Sequence, residues 1–351
     1  MKKRPAAVLV TAMLLPIPSS CALEIVLDYS HDTATDNFFD THPVAKASLE
    51  RARSDIQAAI TTILSGIGGD SVSGKNGGTT ATYNFSHTYV NPSTGAPQSI
   101  PDSTVADDVV TIFVGMRELG GSVLGQGGPG GTGVSISGSG FPSEWPGAMD
   151  AANVAGTDQR LRAGGPIMNT ISSTVQLGGT DGTLAVDCGP SVSNLWFDID
   201  TNNDSNPDPD ITLEAAWHFD WNTPVASGKA DFYSVALHEM LHSLGAGTSR
   251  SWTDNVSGND WLGAEVIAAH GTGSGLIVGG SHVAPVSSPR LSDGLFQEVV
   301  MSPALELGTR KTLTALDLAF LRDINWQTIP EPTSAALSLA AAGLLGRRRR
   351  S

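Results

Sequence analysis

The stretch ADFYSVALHEMLHSLGAGTSRSW, residues 230–252, limits the choice of structure more than any other part of the chain. Phe232, Val235, Met240, Leu241 and Leu244 recur at helical spacing, which predicts a mostly buried helix over 231–245. Asp231 can cap its start and Gly245 allows a sharp exit. His238 and His242 are four residues apart, so both imidazoles leave one face of the helix, one turn apart. That spacing lets both bind one Zn2+ at about 2.0–2.1 Å. Glu239 follows the first histidine and is placed to act as general base toward a metal-activated water. A catalytic zinc usually takes three protein ligands and one water. The third ligand is open at this point. A compact continuation needs a histidine at position 248, which is Thr248; the candidates further on are Glu265, His270 and His282.

The 351 residues suffice for one large domain or two modest ones. Hydrophobic residues make up 40%, charged residues only 16%, and there are 40 glycines, a mixture that suggests strands, long loops and a weakly charged surface. The formal net charge is −15, and the basic residues crowd toward the two ends, so the body is more acidic still. Such a body is a poor partner for nucleic acid or anionic lipid and a plausible cation binder.

The two ends address the protein. Residues 1–22, MKKRPAAVLVTAMLLPIPSSCA, combine a basic start, an apolar run from Ala6 to Leu15, and small residues Ser20 and Ala22 before the expected cut. They read as a secretory signal peptide. Cys21 lacks the preceding leucine of a lipoprotein signal. Once Cys21 is removed only Cys188 remains, which excludes an intramolecular disulfide and leaves Cys188 as a packed small hydrophobe. At the other end, Pro330, Glu331 and Pro332 precede an apolar run, 333–346, and Arg347 to Arg350. The run is shorter than the ~20 residues that span a bilayer comfortably, and the arginines would stay on the cytoplasmic side. Residues 329–351 resemble a PEP-CTERM sorting tail. The resemblance implies export in a Gram-negative bacterium, transient inner-membrane association through 333–346, and removal of the tail by an exosortase-type enzyme. The destination it implies is the cell surface or extracellular matrix.

Between the ends, residues 44–65 read as an amphipathic helix, with Ala47, Leu49, Ala52, Ile56, Ile60 and Leu64 on its apolar face. Residues 82–90 read as a strand followed by the turn NPSTG, and Val109 to Val114 as a buried strand. The Gly- and Ser-rich residues 120–140 read as a loop around an edge strand; no strand–GxxxxGK–helix arrangement is present. Further strands are expected within 183–198 and 211–220, and a last helix over 312–324. The pattern describes an α+β protein with a two-lobed cleft: an N-terminal lobe with a mixed sheet over 23–229, then the motif helix and everything after it over 230–328.

The segments HEMLHSLGAG, GGSHVAP and VVMSPALELGTRKTLTALDLAFLRDINW, spread over roughly 230–326, resemble the leishmanolysin-type branch of the metzincin zinc proteases. The resemblance implies a metzincin-like two-lobed fold with a twisted mixed sheet. It also implies that a long insertion separates the helix from a distant third ligand, His282, and that Met301 in MSP is the Met-turn residue beneath the zinc. Thr248 and the long gap between His282 and Met301 depart from the compact pattern.

A second cation motif lies in FDIDTNNDSNPDPDI, 197–211, where Asp198, Asp200, Asn202, Asp204, Asn206, Asp208 and Asp210 alternate. Oxygen ligands at every second position suggest Ca2+, with Asp198, Asp200, Asn202 and Asp204 as candidates. The twelfth position is Pro209 or Ile211 instead of the glutamate of an EF-hand, so a calcium loop and a solvated acidic turn both stay open. These readings lead to an exported zinc endopeptidase acting on protein or peptide substrates, with a noncatalytic surface or matrix protein on the same framework as the alternative.

Overall fold

The computed structural model describes residues 23–33, 37–69, 71–100, 104–160 and 162–330. The expected signal peptide and the sorting tail from Glu331 onward lie outside the described residues. The fold mixes helices and sheets, as the pattern suggests. Among the described residues no helix is long and apolar enough to cross a membrane.

The main sheet is built on Val109–Arg117, whose near-continuous apolar run suits a strand covered on both faces. It pairs in parallel with Glu24–Asp28 on one side and with Val192–Asp198 on the other. Gly125–Pro129 joins Val192–Asp198 antiparallel and forms the edge. Val110, Ile112, Val114 and Met116 are buried in the main core together with Leu49, Ala52 and Ile56 of the helix Pro43–Ala59 and with the motif helix. The motif helix packs against both Pro43–Ala59 and the edge strand.

A second core is separate. The sheet of Ser71–Asn76, Thr79–Val90, Pro97–Ile100 and Gly131–Ser139 is covered by the helix Trp145–Arg160. Val72, Ala81, Tyr83 and Phe85 meet Trp145, Ala148, Met149 and Ala152 there, and Cys188 is buried in the same cluster.

Several boundaries differ from the sequence reading, each for a physical reason. The first long helix stops at Ala59 instead of reaching residue 65, and its Ala47 is exposed. The β-branched run from Ile60 to Ile63 favours extended chain, and Ile60 pairs with Thr328. The Gly-rich residues 120–140 hold two strands, not a loop around one. Glycine is used there for close approach: a Cβ on Gly127 would lie 2.1 Å from the Glu239 carbonyl oxygen. The strands expected within 183–198 are present as Thr180–Cys188 and Val192–Asp198, separated by Gly189 and Pro190. Residues 211–220 are mostly the helix Asp210–Ala216, followed by the two-residue strand Trp217–His218. The helix Trp145–Arg160 is an addition, although its buried positions follow a helical period. Its Pro146 and Gly147 masked that period.

Candidate metal centre

The motif helix spans Phe232–Ser243. Asp231 caps it, accepting from the Ser234 N–H at 3.1 Å, and is itself held by Arg310 at 2.6 Å. Leu237, Met240 and Leu241 anchor the helix in the core, which fixes His238, Glu239 and His242 on the opposite side. The chain leaves the helix through Gly245 (φ +100°) and folds back so that the Ala246 carbonyl accepts from His242 Nδ1 at 2.7 Å. Gly247 (φ +75°) passes so close to the next loop that a Cβ would lie 2.1 Å from the Ser281 carbonyl oxygen.

That contact brings in His282, on a two-residue strand paired with Ile277–Val278. The nitrogen ligand atoms of His238, His242 and His282 lie within 4.8 Å of one another. His238 and His282 rings are nearly parallel, at 17°, and His242 stands almost perpendicular to both. Thr248 turns away; its hydroxyl donates to the His242 carbonyl at 2.6 Å and closes the end of the helix. Glu265 and His270 sit on the exposed helix Ala264–His270, with Glu265 paired to Arg322 at 2.8 Å. Neither joins the histidines.

The ring orientations are set by acceptors behind them. A carbonyl only accepts, so Nδ1–H of His238 donates to Val300 O at 2.8 Å and Nδ1–H of His242 donates to Ala246 O. Both Nε2 atoms therefore carry free lone pairs toward the centre. His242 Nε2 and His282 Nε2 face each other at 3.3 Å. Burial pushes the imidazoles away from the charged form, His238 down to about 3 and His242 to about 4, with neighbouring histidines lowering both further; burial lowers His282 as well. Neutral imidazoles with converging lone pairs are a donor set that a cation completes, and three of them match a zinc site with an open position. The residues present fit that metal.

Glu239 is buried beside this centre. Burial pushes its carboxyl up to about 8, and the Gly127 N–H, which donates to it from the edge strand, counteracts part of that. Met301 is buried, in the segment whose Val300 carbonyl orients His238 and whose Met301 carbonyl accepts from Val283 N–H at 2.9 Å. The long gap between His282 and Met301 is a hairpin, Ser287–Pro289 with Phe296–Glu298.

Two participants escaped the sequence reading. Gly127 was hidden in a glycine-rich run. Asp317 is fully buried in the last helix, Ala315–Asp323; its carboxylate accepts from Val300 N–H at 3.0 Å and from the Thr314 N–H and hydroxyl. The Thr-x-x-Asp spacing of a capping box was the available clue.

The acidic loop is arranged differently. Asp198 accepts from the Leu119 and Asp200 N–H groups, Asp200 from Asp204 and Ser205, Asn202 from Asp204, and Asp204 from Asn206. Among the described residues, the histidine triad is the one group of three or more His, Cys, Asp or Glu whose ligand atoms converge, and the loop carboxylates form no such group. Comparison with protein-family models, with curated proteins and with solved structures gives no match to this chain.

Proposed function

We propose that the protein is an exported zinc-dependent endopeptidase of metzincin-like build. The observation that carries the reading is the convergence of three imidazoles, His238, His242 and His282, two of them oriented by backbone carbonyls, next to the buried Glu239 carboxyl. Zinc held there would supply Lewis-acid polarisation of a carbonyl and a lowered water pKa. The chain's own residues do the rest. Val300 O and Ala246 O keep two imidazoles aimed inward. Glu239 takes a proton from the attacking water and returns it to the leaving amine. Among the described residues the edge strand Gly125–Pro129 pairs on only one side, which offers an edge to an extended peptide next to Glu239. Met301 supports the floor of the site as the Met-turn residue of the family it resembles.

Zinc content together with gelatin or casein hydrolysis tests this. Wild type should carry about one zinc and hydrolyse; Glu239→Ala should keep the zinc and lose activity by on the order of 10²–10⁴-fold. Full activity in Glu239→Ala would refute the mechanism. Zinc without hydrolysis in wild type would favour the noncatalytic alternative.

A further inference from the structure

On the far side of the motif helix a cleft of about 390 Å3 opens between the helix Pro43–Ala59, the hairpin after His282 and the last described residues. Its walls include Arg51, Trp221, Tyr233, Leu291, Leu313 and Ile329. Tyr233 precedes His238 by five residues, which puts it roughly 140° around the helix, away from the metal face. The proposed hydrolysis uses none of these side chains.

We infer that this cleft is the docking site of the chain's own segment Glu331–Ser334, with the Glu331 carboxylate on Arg51 and Pro332 against the Trp221 and Tyr233 side. Several observations support this. The described residues end at the rim: Ile329 lines the cleft, its N–H donates to Ala59 O at 2.9 Å, and Pro330 is exposed beside it. The cleft holds one under-used cation. Arg51 commits Nε to Asp55 at 2.9 Å and lies 4.5 Å over the Trp221 ring, and its terminal nitrogens make no hydrogen bond among the described residues. Arg310, by contrast, is engaged by Asp231 and by the carbonyls of Asp220, Trp221 and Thr223. The first residue beyond the described chain that bears an anion is Glu331, two residues past Ile329.

The reach is sufficient. Arg51 stands eight residues before Ala59, about 12 Å along the helix. Two extended residues cover about 7 Å, and the long arginine side chain closes the remainder. The sequence of the segment also favours extended chain. Proline at 330 and 332 restricts the flanking backbone, and the residue before a proline avoids helical geometry. Proline-rich segments in that extended form dock in aromatic-lined grooves at low entropic cost. Docking would keep the triplet on the folded body until a sorting enzyme displaces it. That consequence rests on the sorting-tail reading; the docking does not.

The test uses the full chain carrying Thr333→Cys, with alkylation rates followed peptide by peptide so that Cys21, Cys188 and position 333 are read separately. Position 333 should react about tenfold more slowly than in a free peptide of residues 327–340, since protection reports the ratio of docked to free. Glu331→Arg should remove the protection, and adding Arg51→Glu to it should restore it. Glu331 lies beyond the described fold, so its replacement leaves the body intact, and an unreactive Cys188 verifies that in each variant. Reaction at the free-peptide rate in the Thr333→Cys chain overturns the proposal, and so does unchanged protection in Glu331→Arg.

Discussion

The histidine centre and the acidic loop answer the same question in opposite ways. The loop sets seven Asp and Asn side chains at alternate positions within thirteen residues, and the centre gathers three imidazoles from positions as far apart as 238 and 282. By density of donors the loop is the better cation site. In the structure several of the loop's oxygens meet backbone N–H groups, Asp200 accepting from Asp204 at 3.0 Å and Ser205 at 2.9 Å, while Asp208 Oδ1 is buried without a hydrogen-bond partner among the described residues. At the centre the backbone does the opposite, engaging Nδ1 of His238 and His242 from behind and leaving Nε2 free in front. A candidate site is marked by unspent lone pairs that converge, and a count of donors does not measure that.

The strongest way to break the comparison is to remove the distant ligand. His282→Ala leaves two imidazoles on one helix face, and zinc affinity and hydrolysis should fall together by at least three orders of magnitude, read by metal content after dialysis and by casein hydrolysis. Thr248→Ala should keep its zinc, because Thr248 caps the helix end. Full zinc in His282→Ala would refute the ligand assignment and leave Glu239 untouched.

The next test concerns the metal-free protein. Burial raises the Glu239 carboxyl from 4.5 to about 8. Below pH 4.5 the group is neutral both folded and unfolded and contributes no penalty. As pH rises from 4.5 to 8 the unfolded chain ionises first, so the folded state loses stability across that window. Glu239→Gln removes the penalty. With chelator present, its melting temperature should exceed that of wild type most at pH 8, and the difference should vanish near pH 4. A pH-independent difference would refute the buried-carboxyl account.

Asp317→Asn probes the support behind His238. It puts an amide where Val300 N–H and Thr314 donate, so the Val300 carbonyl loses its anchor. Zinc affinity should drop by about 10–100-fold, as for other residues that orient a metal ligand indirectly. Unchanged affinity would show that Val300 is held by other contacts.

How much of this could be read in advance depended on range. The motif helix was legible with its cap because its apolar period, Asp231 and Gly245 are local. The strand at Val109 was legible because a buried parallel strand writes a continuous apolar run. His282 was not separable from Glu265 and His270 by spacing; only the resemblance favoured it, and the reason it arrives is the Gly247–Ser281 contact, which no local pattern records. The edge strand at Gly125 was illegible for a related reason. Glycine has a weak strand preference, and its use here answers the backbone of Glu239, more than a hundred residues later. Asp317 looked like a helix cap, and it is one; its second task, holding Val300, exists only in three dimensions.

The smallest effect belongs to the loop and tests the comparison from the other side. If its carboxylates are acceptors for the loop's own backbone, Asp200→Asn should cost about 1 kcal/mol by weakening one of two N–H interactions, read by denaturant unfolding. The loss stays small because removing a charge also relieves Asp198, whose carboxyl is raised first by burial and then by its Asp200 and Asp208 neighbours. Adding Ca2+ should leave the melting temperature of both proteins unchanged. A calcium-dependent rise in wild type that disappears in Asp200→Asn would mean that the loop opens its turns to a cation. Donor density would then have been the better guide after all, and the contrast between the two regions would be one of occupancy and not of design.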